Sequence, residues 1–194
     1  YIFDTLVFKN DAFVVNGNGY WKSESFPNKT FINFNWDIYD VEKTLHNIGY
    51  PNLIEDGEAS IIGSVSWDDG PSDFEASDFY GNFTINTKKG TIKKIEPGVA
   101  GRLVGLISLQ NLPKRLTLDF SDLFQEGLPY KKVQSPNITI NKGKLFTQEL
   151  NIKSPSADIR MSGMIDFVDE TQDLSLLIEP KLSDTVTAGA LVGG

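Results

Sequence analysis

Cysteine is absent from this sequence, and histidine occurs once, at His46. The first absence excludes disulfides, thiol catalysis and thiolate metal sites. The second excludes a histidine-rich metal centre and leaves one imidazole for general-base chemistry. Long apolar runs are missing as well. The longest, Val99–Leu109, falls well short of the roughly 20 residues that a helix needs to cross a bilayer, and no stretch reads as a signal peptide. Positive charge is in deficit: 18 lysines and arginines stand against 26 aspartates and glutamates, for a net charge of −8. That balance opposes nucleic-acid binding, which needs cations against phosphate. Lys88-Lys89 and Lys93-Lys94 are two modest pairs, not a polybasic cluster for anionic headgroups.

What the sequence does contain is alternation. Ile32, Phe34, Trp36 and Ile38 fall on one face, with Asn33, Asn35 and Asp37 on the other. Ala59, Ile61, Gly63, Val65 and Trp67 repeat the pattern, with Ile62 the exception. Phe83/Ile85, Ile138/Ile140 and Leu150/Ile152 continue it. Its clearest stretch runs through Ala157, Ile159, Met161, Gly163, Ile165 and Phe167, and Leu174, Leu176 and Ile178 close the series. A period of two is that of half-buried strands. Lys88-Lys89-Gly90 and Asn141-Lys142-Gly143-Lys144 suit hairpin turns. The expectation is a mainly β fold, an antiparallel meander with one apolar face, interrupted by a few short helices. One helix is placed over Asp40–Asn47 with Asp40 as N-cap, although Lys43 stands where a capping box has Glu or Gln. A second covers Val99–Leu109, where Leu103, Leu106 and Ile107 recur at helical spacing. Ser121–Gln125 suits a further short turn, and Thr185–Val192 could begin another helix.

Catalytic constellations are weak. His46 sits in a helix without a nucleophile-elbow sequence. The acidic pairs Asp68-Asp69, Asp119/Asp122 and Asp169-Glu170 have simpler roles in turns and caps, and Asp68, Asp69 and Asp73 lack the spacing of a calcium loop. Gly98-Val99-Ala100-Gly101-Arg102 has no Walker lysine. No catalytic residue, metal site or cofactor is therefore expected. The apolar strand faces have two readings. A sheet normally hides such a face against a second layer. A curved sheet could instead hold acyl chains, which gain about 0.8 kcal/mol per buried methylene.

The block Pro97–Gly127 is the most distinctive part of the chain. Gly98, Gly101-Arg102-Leu103, the Leu106–Leu109 run, Arg115-Leu116-Thr117-Leu118-Asp119-Phe120-Ser121-Asp122 and Glu126-Gly127 resemble the C-terminal region of the AsmA-like family of bacterial envelope proteins. The resemblance continues through Gly143, Gly163, Glu179-Pro180 and Leu182, and more weakly backward through Trp67 and Gly81. It implies one region, residues 1–194, of a longer chain, folded as a long twisted antiparallel sheet curled into a groove. It implies phospholipid as the partner, passing between inner and outer membranes through the periplasm, with the full-length protein anchored in the inner membrane by a helix outside this sequence. The lining then falls to Ile138, Ile140, Leu150, Ile152, Ile159, Met161, Ile165, Leu174, Leu176 and Ile178, while Leu103, Leu106 and Ile107 pack a helix on the groove. The alternative is a structural or docking module that braces the groove end beside an envelope protein partner and never touches lipid. In a bacterial protein the sequons at Asn28, Asn82 and Asn137 carry no glycan.

Overall fold

A computed structural model describes residues 1–23, 28–93 and 127–181. Twelve strands and one α-helix account for most of them. The helices expected at Val99–Leu109 and in the tail, the turn at Ser121–Gln125, and the packing residues Leu103, Leu106 and Ile107 lie outside the described residues.

Nine strands form one antiparallel sheet. In chain order they are β1 (Ile2–Lys9), β2 (Phe13–Lys22), β3 (Lys29–Ile38), β5 (Ala59–Asp68), β6 (Tyr80–Thr87), β9 (Lys132–Asn141), β10 (Lys144–Lys153), β11 (Ala157–Asp166) and β12 (Thr171–Pro180). Each pairs with the next in that order, so the meander read from alternation is the observed topology. Strands β1 and β12 each have one neighbour, and the curled sheet therefore stays open rather than closing into a barrel. A second, small sheet joins β4 (Ile54–Glu55), β7 (Gly90–Ile92) and β8 (Leu128–Tyr130).

The local signals act where the sequence places them. Helix α1 spans Val41–Asn47, and the Asp40 side chain accepts from the Lys43 backbone N–H at 2.8 Å as its N-cap. At Asn141–Lys144 a two-residue turn with Lys142 at φ 51° and Gly143 at φ 71° joins β9 to β10, as the right-handed strand twist favours. Lys88-Lys89-Gly90 behaves differently. It joins β6 to β7, which belong to different sheets, so it is a crossing between layers and not a hairpin.

Bulges bend the large sheet. Between Phe83 and Ile85 of β6 the partner strand runs from Ile138 to Ser135, one residue longer. Strand β10 carries a matching irregularity between Thr147 and Leu150. Pro136, which cannot donate to a ladder, sits in the first bulge, where its carbonyl accepts from the Thr84 hydroxyl at 3.0 Å. Buried Ser135 donates to the Glu149 carbonyl at 2.7 Å and lies 3.2 Å from the Thr147 hydroxyl, so the Glu149 carbonyl beside the second bulge and both buried hydroxyls have partners.

Candidate functional site

Strand partners in register share a face, so the pairing list defines rows of side chains running across the sheet. One row passes through Gly17, Phe34, Gly63, Phe83, Ile138, Thr147, Gly163 and Leu174. Its neighbour passes through Gly19, Ile32, Val65, Gly81, Ile140, Leu145 and Ile165. On the other side lie Val15, Trp36, Ile61 and Ile85, continued beyond the bulges by Leu150, Met161 and Leu176. No charged side chain interrupts these rows.

Glycine is part of the geometry. A Cβ at Gly63 would stand 2.2 Å from the Asn82 carbonyl oxygen and 2.4 Å from the Phe83 Cβ, and one at Gly19 would stand 2.0 Å from the Phe31 carbonyl oxygen. Neighbouring strands cross so closely there that only glycine fits. Gly163, at φ 135°, adds a conformation that other residues rarely take.

The two rims differ. One rim is closed by α1 and the small sheet. Leu128 and Tyr130 of β8 pack on Ile152, Ala157 and Ile159, with Ile54, Ile92, Val133, Leu150, Leu176 and Ile178 around them. Burial raises the pKa of the Tyr130 hydroxyl, an effect opposed by the nearby Thr87 side chain. The opposite rim is aromatic. Tyr1 stacks on Trp21 at 5.1 Å, and Trp67 meets Phe74 and Phe79 edge-on or tilted at 6.0 and 6.4 Å. The Trp67 indole donates to the Gly70 carbonyl at 2.8 Å.

Between these rims, the middle of the face from β2 to β6 is only half-buried. Ile32, Phe34, Trp36, Ile61, Val65, Phe83 and Ile85 all retain partial exposure. All ten lining residues expected from sequence lie on this same apolar face, but they fall into two groups. Leu150, Ile152, Ile159, Leu176 and Ile178 pack against the small sheet. Ile138, Ile140 and Ile165 are buried along the middle rows, with Met161 and Leu174 half-buried beside them. The half-buried residues of β3, β5 and β6 had the same alternation in sequence but no signal separating them from ordinary core.

The polar groups that drew attention in sequence have structural roles. His46 is exposed in the last turn of α1. Asp69, at φ 73°, accepts through its carbonyl from the Thr30 hydroxyl at 2.9 Å and forms the turn after β5. Asp166 accepts from the backbone N–H groups of Val168 and Asp169 and pairs with Lys144 at 2.6 Å, which together hold its pKa below the usual carboxylate value. Asp158 lies between Lys153 at 2.5 Å and Lys181 at 2.6 Å and is likewise lowered. These two carboxylates clamp opposite ends of β11.

A family model described as YhdP protein matches residues 1–194, and the chain belongs to that family. The intermembrane phospholipid transporter YhdP of Escherichia coli (strain K12) is 23% identical over 176 residues, which cover 91% of this chain and 14% of that protein. The chain thus spans a small part of the curated relative it matches. No solved structure matches it.

Proposed function

We propose that this segment of a YhdP family chain forms part of a trough along which phospholipid passes between the inner and outer membranes, tails on the apolar face and headgroups in water. The observation that carries the reading is the set of uncharged rows crossing seven or eight of the nine strands with a half-buried middle. Each acyl methylene set against them gains about 0.8 kcal/mol. A lining without charged steps gives a lipid similar affinity from row to row, so movement needs no chemical step. Ile138, Ile140, Met161, Ile165 and Leu174 extend the path beyond Phe34 and Phe83. Leu150, Ile152, Ile159, Leu176 and Ile178 form its closed rim under the small sheet. The setting is the periplasm, with the membrane anchor supplied by the rest of the chain.

A second reading, a brace that docks on an envelope protein, draws on the same closed rim, because a brace needs a packed core and no lipid. A photo-crosslinking amino acid placed at Phe34 or Phe83 of the full-length protein in cells separates them. Phospholipid adducts at both sites, and none at Asn33 on the reverse face, support the conduit; absence of lipid adducts from both overturns it. Met161→Asp with Ile165→Asp should block transport in a protein that still accumulates. Survival of transport in that folded double variant would remove both residues from the path.

A further inference from the structure

The reverse face of the same strands is unlike an ordinary solvated sheet surface. In register across β2, β3, β5 and β6 stand Asn18, Asn33, Ser64 and Asn82. The row beside it holds Tyr20, Phe31, Ser66 and Tyr80. Three open depressions of about 620, 350 and 230 Å³ meet on these rows, the first two sharing Asn18 and Asn33, the first and third sharing Ser64 and Asn82. Apart from Asp4 in the second, no lining residue is charged, in a chain whose charged fraction is 23%. Asparagine is disfavoured in strands, so strand stability does not account for its use here.

We propose that this face binds a linear, uncharged β1→4-linked polysaccharide. The chemistry of the row selects that class. Asn33 Nδ2 donates to Asn18 Oδ1 at 3.1 Å, and Asn82 Nδ2 donates to Asn137 Oδ1 at 3.1 Å. An amide offers two donors and an acceptor with two lone pairs, so each keeps capacity for further bonds. Exposed Asn18, Asn33 and Asn82 therefore present donors and acceptors together, which matches hydroxyl and acetamido groups and suits neither an anion nor a cation.

Spacing supplies the second argument. Strands lie about 4.8 Å apart, so the four row positions span about 14 Å, and each step is close to the length of one pyranose unit in an extended β1→4 chain. The aromatic row runs parallel, with Tyr20 and Phe31 stacked at 5.4 Å and half-buried. It gives the C–H face of the sugar an apolar wall beside the amides, the usual division of labour in a ligand site. The surface lies on the opposite side of the backbone from the lipid trough and does not depend on that reading.

The test is calorimetric titration of the full-length protein with chitohexaose and cellohexaose, with dextran as the control. Saturable binding of at least one β1→4 hexamer and none of dextran is expected. Asn33→Thr with Asn82→Thr, which keeps strand-forming residues, should weaken that binding at least about tenfold and leave lipid crosslinking at Phe34 unchanged. Hydrogen exchange of the wild-type protein should slow in peptides from β2 to β6 when the hexamer is present, which decides the matter if the double variant fails to fold. Failure of both hexamers to bind, equal binding of dextran, unaltered affinity in a folded double variant, or protection confined to other strands would each overturn the proposal.

Discussion

Strands β2, β3, β5 and β6 and strands β9 to β12 carry the same alternation, belong to one sheet and contribute to the same rows, yet their apolar side chains have different surroundings. In the later strands, Ile138, Ile152, Ile159 and Ile165 are all buried. In the earlier ones, Ile32, Phe34, Ile61 and Phe83 remain partly exposed. At the closed rim, the cause is the small sheet, which lays Leu128 and Tyr130 against β10 and β11. Alternation says which face a side chain joins; a second layer decides whether that face is core. The lesson is that one sheet can serve as a foundation at one end and as an open surface at the other.

The sharpest way to break this comparison is a pair of matched truncations. Ile159→Ala removes buried methyl groups from a packed cluster and should cost about 3 kcal/mol of stability. Ile61→Ala, on the half-buried stretch, should cost about 1 kcal/mol, because part of that side chain already meets solvent. Urea denaturation of the two variants measures both. Equal losses would mean that the earlier strands are as tightly packed as the later ones, and the open trough would fail with them.

A second contrast lies within the open half. Gly63→Ala would drive a Cβ into backbone and should cost about 2 kcal/mol, whereas the new Cβ in Gly81→Ala meets the Val65 side chain at 3.3 Å. The second change should lie within about 0.5 kcal/mol of neutral, since alanine also restricts the unfolded chain. Thermal melts of the two variants would show whether the close crossing at Gly63 is required for the curl. Next in size is Asp40→Ala, which removes the N-cap of α1 at the closed rim and should cost about 1 kcal/mol. Retention of full stability would mean that the Asp40 side chain adds little to the rim.

Much of this organisation was legible in the residues. Period-two runs from Ile32 to Ile178 gave strands of the right face and order, Asp40 marked the start of α1, and Asn141–Lys144 marked a hairpin. The small sheet was not legible, because its strands have two or three residues and cannot display a period. For the same reason Lys88-Lys89-Gly90 looked like a hairpin turn when it is a crossing between layers. The lining was assigned only to residues after Ser135, where alternation is cleanest, but clean alternation does not distinguish a wall from a core. Half of those residues pack under the small sheet, and the half-buried positions of β3, β5 and β6 emerge only when the strands are set in register.

Acid should distinguish the two regions by the smallest margin. Asp158 and Asp166 have pKa values lowered in the folded protein by lysine partners, so their contribution is complete above the ordinary carboxylate range and is lost as pH falls below about 4. Both sit on β11. Asp11, lowered chiefly by its hydrogen bond with Lys43, is the corresponding pair near β2, but its side chain is 69% exposed while that of Asp166 is 2% exposed. Salt screens an exposed pair far more than an enclosed one. Hydrogen exchange at low pH should therefore show β11 and β12 loosening at both low and high salt, with any acid-dependent loosening around Asp11 confined to low salt. All three tryptophans, Trp21, Trp36 and Trp67, lie on β2, β3 and β5, so their emission reports the open half by itself. Emission that shifts at the same pH as exchange in β11 would show the two regions unfolding as one unit, and the difference between them would then be one of packing without any independence in stability.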